Sequence, residues 1–449
     1  MKIVIIGGVA AGSKAAAKLR KLLPCAQIEL YTEDTHISYS SCGLPYFVEG
    51  NFDDYRMLLV RLPEEFEKDG IAIHLQNKVL KIIPEYKQLL ISDYKNKNLF
   101  LTEYDKLVIA TGASPIIPEI ENIDLKNVFT LRNIEDGILL KEKVLNSKKA
   151  VIIGSGYIGI ELLEAFVKQG LKVSVIERSG SIMPNLDEDM SLLIREQLES
   201  ISNGRFVFYT NEIVEKFAGN NGVKQVITSS NKVIDTDFVL IATGVKPNIK
   251  IAQDAGIKLG KTGAIKVDCH MRTNIEDIYA CGDCIEKNLL ISNTPTYIPL
   301  GSYASKEGRC AAINIAGQND CFPGVLGSAV TRCLKFTISM TGLTVKKAQQ
   351  LGYNPVWATV TKNDKVGYMP DVSNITLKLV ADESSGILLG AQAIGSIEAD
   401  KKINSLTAAL TGKMTVMQLL ENDTTYAPPY STTIDLLFNA AEILLKKVK

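Results

Sequence analysis

Three stretches of this sequence carry residue types whose spacing points to chemistry. The first is Ser38-Tyr39-Ser40-Ser41-Cys42-Gly43-Leu44-Pro45-Tyr46, a cysteine in a small-residue loop. A thiol acts as nucleophile or redox centre through its thiolate, and no carboxylate lies within residues 38–46 to oppose ionisation. The second is Gly154-Ser155-Gly156-Tyr157-Ile158-Gly159, a full G-x-G-x-x-G preceded by the apolar run Ala150-Val151-Ile152-Ile153 and followed by a helical pattern. Its glycines permit a tight turn and close approach to a pyrophosphate, which the helix N-terminus then faces. Glu177 lies 18 residues after Gly159, at the end of the strand Val173-Ser174-Val175-Ile176-Glu177. A carboxylate there accepts from ribose hydroxyls and favours NADH, while Arg178 beside it is suited to a 2′-phosphate and leaves NADPH open. The third stretch is Thr273-Asn274-Ile275-Glu276-Asp277-Ile278-Tyr279-Ala280-Cys281-Gly282-Asp283, a strand that delivers Gly-Asp at its end.

The elements that must position these residues repeat. Lys2-Ile3-Val4-Ile5-Ile6 is an apolar strand of the kind buried in a parallel sheet. It runs into the turn Gly7-Gly8-Val9-Ala10-Ala11-Gly12, where Val9 stands in place of the middle glycine. A helix with Ala15, Ala16, Leu19 and Leu22 on one face follows and ends before Pro24. Ile28-Glu29-Leu30-Tyr31 is the next strand, after which Thr32 and Glu33 compete for the ribose-reading position. Two such units imply two dinucleotide sites. Leu107-Val108-Ile109-Ala110-Thr111-Gly112 and Val239-Leu240-Ile241-Ala242-Thr243-Gly244 echo each other as closing strands. Pro115, Pro118 and Pro247 follow them and mark crossings between two α/β domains. Beyond about Pro323 no phosphate turn occurs, and strand-like segments such as Ile375–Val380 mix with helical ones in a third domain.

Composition narrows the function classes. The 449 residues, 46% of them apolar, suffice for several cores, and 50 basic residues balance 50 acidic ones. That balance argues against a nucleic-acid surface, and the cationic tail Lys446-Lys447-Val448-Lys449 reads as a solvated helix end. No apolar run is long enough for a membrane span or a signal core, so the reading is a cytoplasmic protein. The eight cysteines then read as thiols, and Cys281-Gly282-Asp283-Cys284 as packing, since no second C-x-x-C or histidine pair accompanies it as a metal site would require. Only His36, His74 and His270 are present, and His36 reads as a loop histidine.

The stretch 273–283 fits T-x-x-x-x-I-Y-A-x-G-D, and so resembles the second FAD signature of the FAD-dependent pyridine nucleotide-disulfide oxidoreductases. The resemblance covers both nucleotide turns, both Ala-Thr-Gly segments, this signature and the C-terminal region. It implies an α/β protein with two Rossmann-like domains: an FAD domain over 1–112 and 246–322, split by an NAD(P)H domain over 113–245. An α+β interface domain over 323–449 would then close a homodimer. It assigns FAD to Gly7, Gly8, Val9, Ala10, Ala11 and Gly12, to Thr32 or Glu33, and to Ala110, Thr111, Gly112 and Ala113. Arg132 and Asp283 join these, and Pro299-Leu300-Gly301 touches the isoalloxazine edge. The nicotinamide nucleotide falls to Gly154, Gly156, Ile158, Gly159, Glu177, Gly244 and Gly327, with Tyr157 as a gate and Glu161 beside it.

The resemblance is nearest to the single-cysteine branch. Phe47 stands where dithiol members carry a second cysteine, and no histidine follows His270 to act as their acid–base. Peroxidases and water-forming oxidases of this branch carry a histidine in the first turn, where this chain has Ala10. The segment around Cys42 and Thr425-Tyr426-Ala427-Pro428-Pro429-Tyr430-Ser431 resemble the coenzyme A disulfide reductases. There Tyr426 would serve the other subunit's site, with Tyr368 as a second phenol, and both would protonate a leaving thiolate. Ser38, Ser41, Lys14, Lys18 and Lys21 fall where coenzyme A contacts would lie. Ser41 replaces that group's asparagine, and no lysine follows Ser431. The implied activity is NAD(P)H-dependent reduction of coenzyme A disulfide, or of its persulfide or polysulfide, through Cys42 as a ready thiolate. The alternatives are an oxidase or peroxidase using a Cys42 sulfenate, and a redox sensor without turnover.

Overall fold

The computed structural model describes residues 1–449. Its first sheet forms around Lys2–Ile6, whose Ile3, Val4 and Ile5 are fully buried because both faces of the strand are covered. Gln27–Tyr31 and Lys106–Ile109 pair with it in parallel, and Ile71–His74 and Ile278–Ala280 complete the five strands. The strand leading to Gly282-Asp283 therefore returns to the sheet that holds the first glycine turn.

The second sheet repeats the arrangement. Lys149–Ile153 is central, flanked in parallel by Lys172–Glu177 and Phe238–Ile241, with Phe206–Thr210 and Val128–Phe129 at the edges. Each unit also carries a three-stranded antiparallel sheet, Asn77–Ile83 with Gln88–Asp93 and Asn98–Glu103 in the first, Val214–Ala218 with Gln225–Thr228 and Val233–Asp235 in the second. The two passages between the parallel sheets lie side by side, Ala113–Pro115 pairing antiparallel with Val245–Pro247. Asn248 laces them, donating to the Thr111 carbonyl at 2.9 Å and accepting from Ser114 Oγ at 2.7 Å.

The C-terminal part is a five-stranded antiparallel sheet in the order Ala329–Cys333, Phe336–Gly342, Leu388–Gly395, Asn374–Asp382, Pro355–Asn363. Helices Glu398–Thr411 and Leu436–Leu445 cover one face. The other face docks on the second parallel-sheet unit. There the buried Asp187 accepts from Gln392 Nε2 at 2.7 Å and pairs with Lys378 at 3.1 Å. No helix is long and apolar enough to cross a membrane.

Candidate active site

Cys42 sits in the single turn Ser41–Gly43, which runs into the helix Leu44–Glu49. The loop before it is fixed by backbone bonds. Ser38 N–H donates to the Gly8 carbonyl at 2.8 Å, Ser40 N–H to Leu58 at 2.8 Å, and the Ser38 carbonyl accepts from Val60 at 2.8 Å. Ser38 adopts φ 50°, a left-handed backbone that costs a non-glycine residue about 1–2 kcal/mol. The cysteine loop is thereby anchored on the first glycine turn. The helix after it buries Leu44, Phe47 and Val48 against helices Ile134–Leu145 and Tyr157–Lys168. Lys168 Nζ holds Glu49 at 2.6 Å. Phe47 is thus core, packed 5.8 Å from Phe52, and no second thiol accompanies Cys42 in this segment.

The thiol itself departs from the sequence expectation of ready ionisation. Cys42 opens to solvent, yet the surrounding protein desolvates it and raises its pKa, with the Glu161 charge as the next cause and Asp283 adding to it. A hydrogen bond from Ser41 and the Arg132 charge pull the other way. The segment around Cys42 lacks carboxylates, but the fold brings two from distant elements, which spacing along the chain does not reveal.

Glu161 lies on helix Tyr157–Lys168, and burial pushes its carboxyl up to about 7. Thr331 Oγ1 donates to its Oε1 at 2.9 Å. Tyr157, at the start of the same helix, is raised by burial and feels Tyr303 and Glu161. Tyr303 Oη accepts from the N–H groups of Gly327 and Ser328, each at 3.0 Å. Tyr157, Glu161, Gly327 and Cys42 therefore belong to one linked neighbourhood, built from three parts of the chain.

The residues around the two turns fit dinucleotides. A Cβ at Gly7 would sit 2.1 Å from the Ala110 carbonyl oxygen, and one at Gly154 would sit 2.5 Å from that of Ala242, so both turns are too tight for any side chain. Gly156 and Gly301 instead face open space to 4 Å, as a backbone cradle for a ligand requires. Asp283 Oδ1 is buried with no partner, while its Oδ2 pairs with Arg132 at 3.2 Å. A buried acceptor left unpaired is costly and suits a hydroxyl of a bound flavin side chain. Replacing Asp283 by Ala is expected to weaken FAD binding about 10- to 100-fold, the loss of one or two charge-assisted hydrogen bonds, measured by flavin fluorescence on titrating deflavinated protein. Unchanged affinity would remove Asp283 from the flavin site.

Behind Asp283 lies a feature that sequence reading missed. Lys287 and Glu307 are both fully buried and paired at 2.7 Å. Glu307 also accepts from Gly282 N–H at 2.9 Å, and Lys287 donates to the Gly282 carbonyl at 3.0 Å. The available signal was a lone acid inside the small-residue helix Gly301–Ile315.

Other residues named from sequence fall as follows. Val9 caps helix Ala10–Leu22, so Ala10, Ala11 and Gly12 form its first turn. Gly8 packs on Ile37. Thr32 is buried, whereas Glu33 is exposed and pairs with Lys78 at 2.7 Å. Gly112 lies against the Arg132 guanidinium, Ala113 is buried, and Gly244 turns with φ 102°. Pro299 and Leu300 lead into Gly301, and Ile158 lies in the first turn of the Tyr157 helix. Glu177 accepts from the N–H and hydroxyl of both Ser155 and Ser179, at 2.8–2.9 Å. These four donors use the four acceptor positions of a carboxylate, so a ribose hydroxyl would have to replace one of them. Lys14, Lys18 and Lys21 share one face of their helix and make no ion pair within the chain. Tyr368 is 76% exposed and Tyr426 47% exposed, with Tyr426 Oη accepting from Thr433, and neither bonds the Cys42 segment of its own chain. Cys281 and Cys284 are fully buried with thiols raised by desolvation, which is packing chemistry. His36 Nδ1 lies 3.0 Å from Glu135, its ring edge-on to Tyr55.

The chain resembles known proteins over nearly its whole length. The model of the pyridine nucleotide-disulphide oxidoreductases matches residues 1–308, and that of their dimerisation domain matches residues 329–437. The chain is 37% identical over 447 residues to an NAD(P)H sulfur oxidoreductase (CoA-dependent) of Pyrococcus furiosus, spanning 99% of both. It is 34% identical to an NADH oxidase of Methanocaldococcus jannaschii, over 100% of this chain and 99% of the relative. It is 31% identical to a coenzyme A disulfide reductase of Staphylococcus haemolyticus, over 97% of each. Among solved structures, an NAD-dependent persulfide reductase from A. fulgidus superposes with a TM-score of 0.96 at 35% identity, over 100% of this chain and 83% of that one. The chain belongs to the pyridine nucleotide-disulphide oxidoreductase family.

Proposed function

We propose that this enzyme uses NAD(P)H and FAD to reduce coenzyme A disulfide, or coenzyme A persulfide or polysulfide, at Cys42. The observation that carries the reading is the seat of Cys42. It is an exposed thiol in a loop anchored on the first glycine turn, within reach of the charges of Glu161, Asp283 and Arg132. Ala10 in that turn leaves no imidazole beside the sulfur for a peroxide cycle.

Bound FAD supplies the electron pair taken from NAD(P)H that splits a disulfide at Cys42. The chain does the rest. Cys42 thiolate attacks one sulfur of the incoming disulfide, forming a mixed disulfide and expelling the other half as thiolate. Ser41 and Arg132 favour the attacking thiolate, while Glu161 and desolvation oppose it. Burial pushes the Glu161 carboxyl up to about 7, so this residue, with Thr331 donating to its Oε1, exchanges a proton within the site near neutral pH. Tyr368 and Tyr426, exposed on the sheet unit, would complete the site of a partner subunit in a homodimer. Lys14, Lys18 and Lys21 would meet the phosphates of coenzyme A, with Ser38 and Ser41 nearer the sulfur. NADH is the favoured donor, and exposed Arg178 leaves NADPH acceptable. The eight free cysteines suit a reducing cytoplasm.

Glu161→Gln is expected to move the pH profile of Cys42 alkylation by iodoacetamide to lower pH. The sign follows from charge: ionised Glu161 destabilises the thiolate and raises the thiol pKa, and a neutral amide does not. An unchanged or opposite shift would separate Glu161 from Cys42. The function itself is tested by steady-state NADH consumption with coenzyme A disulfide, polysulfide, peroxide and oxygen. Turnover with the sulfur acceptors is expected; turnover with oxygen or peroxide alone would replace this reading by an oxidase.

A further inference from the structure

Two exposed cysteines of the first unit, Cys269 and Cys321, lie in adjoining loops above a third, the buried Cys310. Cys269 lies in the tight turn Asp268–Met271, whose Asp268 carboxylate accepts from the N–H groups of His270 and Arg272 at 2.9 Å. Cys321 lies after helix Gly301–Ile315, in the segment that leads toward the antiparallel sheet. The two loops are laced together. Phe322 N–H donates to the Cys269 carbonyl at 2.7 Å, and His270 Nδ1 lies 2.9 Å from the Asp320 carbonyl. The Asp320 carbonyl also accepts from Asn314 Nδ2 at 2.7 Å.

Burial decides which sulfurs are reactive. Cys310 lies beneath the loops, its thiol directed at the Asp320 and Cys269 carbonyls at 3.4 and 3.6 Å and raised to about 12 by burial. It is an anchor, not a nucleophile. Cys269 and Cys321 are both exposed. The bond from Phe322 N–H to the Cys269 carbonyl sets Cys321, the residue before it, beside Cys269, and hydrogen bonding to Cys321 is the main cause that pushes the Cys269 thiol up. No group of three side chains here is arranged for a metal ion.

We infer that Cys269 and Cys321 are a second, non-catalytic dithiol that small disulfides convert to an intramolecular disulfide. One thiolate of the pair attacks the small disulfide, forming a mixed disulfide and releasing one thiol. The second cysteine then attacks the protein sulfur of that adduct, and the other half leaves as thiol. Two protein thiols are oxidised, one small disulfide is reduced to two thiols, and both protons leave with them. The loops are already held in register, so closure needs no large backbone movement. The closed loop encloses Asp283, Lys287 and Glu307, the structure behind the flavin-type site. The choice of oxidant rests on the proposed reading of Cys42; the pairing of the two cysteines does not.

The test uses the full-length Cys42→Ser protein, flavin bound, with coenzyme A disulfide and no NADH. After alkylation and tryptic digestion under non-reducing conditions, the fragment 267–272 is expected cross-linked to the fragment 310–332, with two alkylatable thiols lost per chain. Cys321→Ser in the same background is expected to give no cross-link and instead a coenzyme A adduct on Cys269. Cys310→Ser is expected to keep the cross-link. The inference is overturned if Cys269 and Cys321 stay as alkylatable as in untreated protein, or if separate adducts form on both without a link. Wild-type turnover is measured in parallel, so failure at Cys42 and failure at this pair are read independently.

Discussion

Cys42→Ser is expected to lower NADH oxidation with coenzyme A disulfide by at least about 10³-fold while leaving flavin content unchanged. A serine hydroxyl is not ionised near neutral pH and forms no mixed disulfide, so the nucleophilic step has no substitute in the site. Phe47 stands where a C-x-x-x-x-C pair would place its second thiol, and it is buried core. The flavin-type site should survive, because the bonds that tie this loop to Gly8 and Leu58 are made by backbone groups of Ser38 and Ser40 and not by the sulfur. Stopped-flow reduction by NADH should therefore still bleach the flavin, while turnover with the disulfide disappears. Retained turnover would mean that electrons reach the disulfide without passing this cysteine.

The second large effect is on stability. Lys287 and Glu307 have no exposed side-chain surface, and each also bonds the backbone of Gly282. Removing one partner of a buried pair leaves an uncompensated charge, at a cost of about 3–5 kcal/mol. Glu307→Gln keeps the shape but not the charge. It is expected to lower the unfolding midpoint in urea and to loosen flavin binding, because Gly282 positions Asp283. The double replacement Lys287→Met with Glu307→Leu is expected to recover much of the stability, since a matched apolar pair leaves no buried charge. Its flavin affinity should stay low, because Gly282 would still lack both bonds. A Glu307→Gln protein as stable as wild type would show that the pair is dispensable. In a chain with several cores the midpoint is read from flavin and tryptophan signals separately, as the parts need not unfold together.

Much of this architecture was legible because parallel strands buried on both faces leave apolar runs, and tight phosphate turns leave glycines. Ile3–Ile6 with Gly7, and Val151–Ile153 with Gly154, carry both marks, and the structure makes each the centre of its sheet. Cys42 stood out as a candidate because a cysteine among small residues at a helix start has few packing reasons to be there, and the structure leaves it exposed. Its acidity was not legible, since Glu161 and Asp283 reach it through the tertiary fold from other elements. Glu177 shows the same limit. Its position after a strand was readable, but the four donors supplied by Ser155 and Ser179 were not, because satisfaction of a carboxylate depends on turn geometry. Lys287 and Glu307 gave almost no signal, for a buried pair separated along the chain looks like two ordinary surface charges. Tyr368 and Tyr426 carry little within one chain, and their proposed role belongs to a second subunit.

The most direct test of the central claim is the mass of the Cys42 peptide after the oxidised enzyme meets coenzyme A disulfide without a reductant. The account predicts an increment of one coenzyme A on the peptide that carries Cys42, discharged as free thiol within one turnover of NADH addition. An unmodified Cys42 in an enzyme that still reduces the disulfide would contradict it.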